Sequence, residues 1–188
     1  MTGVSQPNAL DIGDGDVVYV TDGSGGGDGP GVLRYDPTSG VTEPIATGFV
    51  YPTGLALNEE QDRLYVADYQ FGLYVLAKDP TGVWGPPELV FEPEGSDSHD
   101  GIEVDVCGRL YMVHFVLGQL YRWDPATELR ELLIDLDDPG SLSAWSSVRW
   151  GSGHGPWQRD VLYVTDRHRV FGVHVGVPGR RQPVDAGQ

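Results

Sequence analysis

Short segments that alternate apolar and polar residues recur along the chain, and turn residues separate them. In SHDGIEVDVCGRLYMVHF (Ser98–Phe115) apolar residues occupy every second position on both sides of a Cys-Gly pair. Successive side chains of a β-strand face opposite sides, and a glycine-containing turn between two such segments is typical of a hairpin. The pattern predicts a strand, a turn and a second strand, with His99, Asp100 and Gly101 where the first strand begins.

This strand–turn–strand pattern occurs four times. A tyrosine marks the second strand of each copy, and the four tyrosines are 46, 46 and 52 residues apart. They are Tyr19, Tyr65, Tyr111 and Tyr163. A third apolar segment follows each copy, and three of these end in Asp-Pro, which stops strand pairing because proline has no N–H to donate. Fourth strands are predicted in VTEPIAT, PELVFEP and RELLIDL.

Four short strands in a unit of about 46 residues are typical of one blade of a β-propeller. No long amphipathic helical pattern competes with this interpretation. We therefore predict an all-β fold in which residues 1–188 form a single, partial propeller domain of about four blades. The predicted blade units are approximately 8–52, 53–99, 100–146 and 147–180.

One polar residue begins the first strand of each predicted blade: Asn8, Thr53, Asp100 or Ser147. In a propeller the first strands line a central channel, so equivalent positions of successive repeats surround one axis. Four oxygen-bearing side chains at one end of a channel would suit a hard cation or a small polar ligand. Ordinary turns at strand entries use the same residue types, so the repeat alone leaves both interpretations open.

The chain is strongly acidic, with a net charge of −16 from 28 acidic and 12 basic residues. Such a surface repels phosphate backbones and anionic lipids, so we expect neither nucleic-acid nor membrane partners. Cys107 is the only cysteine, which excludes an intrachain disulfide and a cysteine-rich zinc site. No apolar run approaches the ~20 residues of a membrane span. The first residues lack the features of a signal peptide, so we expect a cytoplasmic location.

Two histidines have simpler interpretations than catalysis or metal binding. His99 is next to Asp100, but adjacent strand residues point to opposite faces, so a shared role is not expected. His114 occupies a strand-end position where hydrogen bonding to the backbone is the favoured role. Aspartate fills that position in the other three repeats, at Asp22, Asp68 and Asp166.

Four segments together resemble the senescence marker protein/gluconolactonase/luciferin-regenerating-enzyme-like family, which includes regucalcin. They are PNALDIGDGDVVYVTD, YPTGLALNEEQDRLYVAD, HDGIEVDVCGRLYMVHFVLGQLYRWDP and LYVTDRHRVFGVHVGVPG. The segments follow the order and spacing of the family and cover almost the whole chain. The resemblance implies a six-bladed propeller that binds one divalent metal ion, usually calcium, in its channel and often hydrolyses lactones.

The resemblance also implies roles for three residues. Asp100 matches a metal-binding aspartate of the family, and its carboxylate could also accept a proton from water. Asn8 matches an asparagine that helps to position the substrate. Thr53 stands where the family has a metal-binding asparagine, so we expect it to be at most a weak ligand. The family's first-blade glutamate has no counterpart, because the chain begins about two blades into the family pattern.

Two functions follow as expectations. The first is metal-dependent hydrolysis of a sugar-derived or other small lactone. It would use one divalent cation, and calcium is the cation we expect. The alternative is a non-catalytic propeller fragment that serves as a binding scaffold, which Thr53 and the missing glutamate favour. A different propeller chemistry, like that of strictosidine-synthase-like proteins, fits the acidic Asp100 less well. Because unclosed blades expose sheet edges, we also expect self-association.

Overall fold

Four antiparallel sheets make up the computed structural model, which describes residues 3–23, 29–69, 71–92, 98–135 and 144–182. The first sheet contains β1 (Pro7–Ile12), β2 (Val18–Asp22), β3 (Gly31–Asp36) and β4 (Val41–Thr47). The second contains β5 (Pro52–Leu57), β6 (Arg63–Asp68), β7 (Gly72–Ala77) and β8 (Glu88–Phe91). The third contains β9 (His99–Val104), β10 (Leu110–His114), β11 (Gln119–Asp124) and β12 (Leu129–Asp135). The fourth contains β13 (Ser147–Trp150), β14 (Val161–Thr165) and β15 (Val170–His174).

Each sheet is one propeller blade whose strands are adjacent in chain order. The first strands of successive blades pack on one another, β1 on β5, β5 on β9 and β9 on β13. These inner strands therefore surround a common axis. The prediction of an all-β propeller with about four blades is confirmed, including a fourth strand in each of the first three blades.

The repeated tyrosines have the same place in all four blades. Each lies on the second strand opposite a residue of the inner strand: Asp11 in the first blade, Ala56 in the second, Glu103 in the third and Arg149 in the fourth. The apolar core consists of three clusters, each of which joins two successive blades. Both faces of the two middle blades are consequently buried, which explains their long apolar strands.

The chain leaves the fourth blade after β15 and crosses the ends of the inner strands. The backbone N–H of Arg180 donates to the carbonyl oxygen of Val104 at 3.0 Å, and that of Val106 donates to the carbonyl oxygen of Pro178 at 3.2 Å. A Cβ atom on Gly179 would lie 2.0 Å from Cδ1 of Trp150, so only glycine allows this close approach. The C-terminal segment therefore lies across one end of the channel.

The two ends of the channel are distinct. We call the end where the inner strands begin the mouth, and the end where they finish, under the C-terminal segment, the far end. In the described part of the chain no helix is both long enough and apolar enough to cross a membrane.

Candidate functional site

The predicted site residues all lie at the mouth. Asn8, Thr53 and Asp100 are each the second residue of an inner strand, and Ser147 is the first residue of β13. Within the described ranges, no hydrogen bond joins the side chains of Asn8, Thr53 and Asp100. The repeat thus brings them to one end of the channel without fixing them to one another.

Asp100 has the most unusual environment of the group. Its side chain is half-buried, and burial raises the pKa of its carboxyl group to about 7. No hydrogen bond or ion pair from another described residue reaches the carboxylate to offset that burial. A carboxyl group that titrates near neutral pH can accept a proton from water or exchange its own proton for a cation.

Thr53 is buried and bonded to the backbone of two blades. Its Oγ1 lies 3.0 Å from the carbonyl oxygen of His99 and 3.2 Å from that of Ala67. Its own carbonyl oxygen accepts a hydrogen bond of 2.6 Å from Oγ1 of Thr21. The hydroxyl hydrogen of Thr53 is therefore committed to holding blades together, and only an oxygen lone pair remains for a ligand.

Asn8 is exposed to solvent on β1. The backbone beside it is held in place, because Ala9 N–H donates to Oγ1 of Thr21 at 3.0 Å. Asn8 therefore combines a solvent-exposed side chain with a fixed position on the strand.

The strand-end residues hold the loops that lead into the inner strands. The carboxylate of Asp68 accepts the N–H groups of Val50 and Tyr51, both at 2.7 Å. His114 has a comparable position, with one ring nitrogen 3.3 Å from the backbone nitrogen of Ser98 and the other 3.1 Å from that of Leu117. A neutral imidazole has one acceptor nitrogen, so His114 accepts one of these two N–H groups. The interpretation of His114 as a hydrogen-bonding residue is confirmed.

A cluster of charges at the far end was not predicted from the sequence. Asp11 accepts a hydrogen bond from Nη2 of Arg180 at 2.7 Å and one from Leu57 N–H at 2.8 Å. Arg149 pairs with Glu103, whose pKa burial raises to about 7 against the opposing effect of that arginine. Asp11, Glu103 and Arg149 are the inner-strand partners of repeated tyrosines, so their positions could have been found by extending the repeat.

The mouth offers a cation only a partial set of ligands. In the described part of the chain, no group of three or more histidine, cysteine, aspartate or glutamate residues could hold a metal ion. Calcium takes about six to eight oxygen ligands. The carboxylate of Asp100 would give such an ion a negatively charged oxygen ligand. The amide oxygen of Asn8 is also a type of ligand that calcium accepts. Water or substrate oxygens would have to complete the shell, so binding by these residues alone would be weak.

Several solved structures have the same fold. A provisionally assigned gluconolactonase superposes with a TM-score of 0.71 at 19% identity, covering 94% of this chain and 60% of its own. A gluconolactonase from Xanthomonas campestris gives a TM-score of 0.67 at 20% identity, covering 94% of this chain and 58% of its own. Regucalcin from Agrobacterium tumefaciens, a calcium-binding protein, superposes with a TM-score of 0.70 at 16% identity. The superposition covers 94% of this chain and 63% of regucalcin. The chain thus spans about three fifths of the length of these proteins.

Sequence comparison gives the family directly. No curated protein matches the chain. The family model described as the SMP-30/Gluconolactonase/LRE-like region matches residues 5–135, which include all of the first three blades. The chain belongs to the SMP-30/gluconolactonase/LRE-like family.

Proposed function

We propose that this chain carries part of the site of a metal-dependent hydrolase that acts on a sugar-derived or other small lactone. The observation that supports it most strongly is the half-buried carboxyl group of Asp100, which lies at the mouth with a pKa of about 7 and no partner from another described residue. Family membership and the fold shared with a gluconolactonase and with regucalcin point to the same chemistry.

In this proposal Asp100 has two roles. Its ionised carboxylate contributes a ligand to one divalent cation, calcium by the family resemblance. It also accepts a proton from the water molecule that attacks the lactone carbonyl carbon. A bound cation would polarise the carbonyl oxygen as a Lewis acid. The ring C–O bond of the lactone then breaks, the alkoxide oxygen takes up a proton, and a hydroxy acid is released.

Asn8 and Thr53 have lesser roles. The exposed amide of Asn8 would hydrogen-bond to polar groups of the substrate and orient its ring at the mouth. Thr53 would contribute only through the lone pair of its hydroxyl oxygen, since its hydrogen is directed to the carbonyl groups of His99 and Ala67. Binding of the cation therefore depends mainly on Asp100.

The test compares the chain with Asp100→Asn, which keeps the shape of the side chain and removes its charge. Calcium titrated by calorimetry should bind saturably to the chain, and Asp100→Asn should lose that binding. Hydrolysis of glucono-δ-lactone and other small lactones should fall at least ~100-fold, because the lost group acts as general base. Asp160→Asn, an exposed aspartate of the fourth blade, is the matched control and should change neither result. Full hydrolysis by Asp100→Asn would contradict the proposal.

A binding scaffold without catalysis is the second candidate function. It is favoured by the engagement of Thr53 with the backbone. It is also favoured because the described residues contain no group of three or more histidine, cysteine, aspartate or glutamate residues that could hold a metal ion. If neither the chain nor Asp100→Asn binds calcium or hydrolyses any lactone, the result would support the scaffold function over the hydrolase function.

A further inference from the structure

A cavity of about 670 Å³ lies at the far end of the channel. The last residues of β1 and β13 form two of its walls, and the C-terminal segment from Pro178 to Gln182 forms a third. Pockets of roughly 300–1,000 Å³ are typical of small-molecule sites in proteins. Asp100 does not line this cavity, so the cavity is separate from the site proposed at the mouth.

Positively charged side chains are concentrated around the cavity. Four of its lining residues are arginines, and only two, Asp11 and Glu103, are acidic. The four are Arg149, Arg159, Arg180 and Arg181. The entire chain has only 12 basic residues and a net charge of −16. A third of its positive charge is therefore gathered around one cavity, where it opposes the field of the molecule as a whole.

Two of these arginines are held rigidly. The side chain of Arg180 is 2% exposed, and its Nη2 donates to Asp11 at 2.7 Å and to the carbonyl oxygen of Ile12 at 3.0 Å. Arg149 donates to Glu103 and to the carbonyl oxygen of Leu10. A guanidinium group has five N–H donors, so these bonds fix the orientation of each arginine without using all of its donors. Donors held in place before binding lose less entropy when a ligand arrives.

The other two arginines lie at the rim. Both Arg159 and Arg181 are exposed. The backbone of Arg181 is fixed by a hydrogen bond of 2.8 Å from its N–H to Glu59. The side chain of Arg181 also pairs with Glu59 at 3.4 Å and is 83% exposed. Substitutions at these two positions therefore remove charge from the cavity at side chains that are open to solvent.

The rest of the lining is largely apolar. Leu10, Ile12, Val106, Trp150 and Pro178 all contribute to it. An inorganic anion alone would leave these surfaces uncovered, whereas a molecule with an apolar part would bury them.

We propose that the far-end cavity binds a small organic anion. Its carboxylate or phosphate group is held by the arginines, and its apolar part packs against Trp150 and the aliphatic side chains beside it. Arginine pairs with both kinds of oxyanion through two parallel hydrogen bonds. This inference does not depend on the function proposed for the mouth.

Calorimetric titration at constant ionic strength tests the proposal with three probes of similar shape: benzoate, phenyl phosphate and neutral benzamide. At least one of the two anions should bind saturably, and benzamide should bind at least tenfold more weakly. The tighter of the two anions identifies which oxyanion the cavity prefers. Because the molecule as a whole is strongly acidic, unspecific attraction of anions is not expected.

Matched arginine variants locate the binding. The double variant Arg159→Gln/Arg181→Gln should weaken anion binding at least tenfold. Arg34→Gln/Arg122→Gln removes two arginines of surface ion pairs outside the cavity and should leave anion binding unchanged. Asp100→Asn should also bind the anion normally, which separates this result from failure of the lactonase proposal. Absence of saturable binding to the intact chain, or equal losses in both double variants, would overturn the inference.

Discussion

Oγ1 of Thr53 donates a hydrogen bond of 3.0 Å to the carbonyl oxygen of His99, which lies 46 residues further along the chain. Two other hydrogen bonds join residues with the same spacing of 46. Leu57 N–H donates to the carboxylate of Asp11, and Arg149 donates to the carboxylate of Glu103. These three contacts join the first blade to the second, the second to the third, and the third to the fourth. The sequence repeat is thus expressed in three dimensions as bonds between equivalent positions of adjacent blades.

Replacing Thr53 by valine should destabilise the fold without changing its shape. The substitution removes the hydroxyl that joins two blades, and the loss of one buried hydrogen bond costs roughly 0.5–1.5 kcal/mol. Urea denaturation measures the change in the free energy of unfolding. Thr38→Val, at an exposed turn, is the control and should stay within ~0.5 kcal/mol of the parent chain.

The same variant tests whether Thr53 is a metal ligand. Calcium binding that weakens in Thr53→Val, measured at a temperature where the variant is folded, would support the role that the family resemblance implies. Unchanged calcium binding would show that the threonine is structural only.

The stability of the chain should depend on pH through Asp100. Its pKa is 3.8 for an unperturbed side chain and about 7 in the fold, so between these values the folded chain holds a proton that the unfolded chain has lost. The stability that Asp100 contributes is therefore complete below about pH 4 and is lost as the pH rises towards 7. Asp100→Asn resembles the protonated form and should be more stable than the parent chain at pH 8.

Thermal unfolding of the two proteins at pH 4 and pH 8 provides the measurement. Glu103 has a similarly raised pKa but is present in both proteins, so its contribution cancels in the comparison. An equal difference in melting temperature at both pH values would contradict the assignment. Calcium binding to the parent chain should tighten as the pH rises through about 7, because the proton and the cation compete for the same carboxylate.

Breaking the Asp11–Arg180 pair should be far more costly than breaking a surface pair. The two side chains are 3% and 2% exposed, and Asp11→Ala would leave the guanidinium of Arg180 charged and buried without its carboxylate. Such losses cost about 3–5 kcal/mol. Glu43→Ala, which breaks the exposed pair with Arg34, should cost about 1 kcal/mol or less. Equal losses in the two variants, measured by denaturation, would show that burial does not make the Asp11–Arg180 pair more important to stability than a surface pair.

Self-association should occur through the outer edge of the fourth blade. The fourth blade has three strands in the described part of the chain, and the side chain of Val170 on its outer strand is 58% exposed. Lysine on an edge strand opposes pairing with another chain. Light scattering should give a mass above 20.4 kDa for the parent chain and a lower mass for Val170→Lys.

Val83→Lys is the matched control for this experiment. Val83 is 61% exposed but lies outside the named strands, so lysine there should leave the mass unchanged. If the parent chain is monomeric at every concentration, the edge strand is not an interaction surface between copies of the chain.

The propeller could be predicted because its signals are local. Alternation of apolar residues and the spacing of the tyrosines depend on strand geometry within each blade, and both survive in the structure. The pairing of Asp11 with Arg180 joins residues 169 positions apart and depends on where the C-terminal segment runs, which no periodic pattern indicates. The direction of the Thr53 side chain could not be predicted from the sequence either. The register shifts between Pro52 and Leu55, so side chains do not alternate strictly between the two faces there.

The path of the C-terminal segment has a practical consequence for attaching the molecule to a surface or to another domain. Gln182 lies among the residues around the far end, whereas Asp100 lies at the beginning of β9, at the mouth. A tether joined directly to Gln182, in place of the residues that follow it, therefore starts from the side of the molecule opposite to Asp100. A chain immobilised in this way would present its mouth to the solution, and a fused domain would leave approach to Asp100 unobstructed.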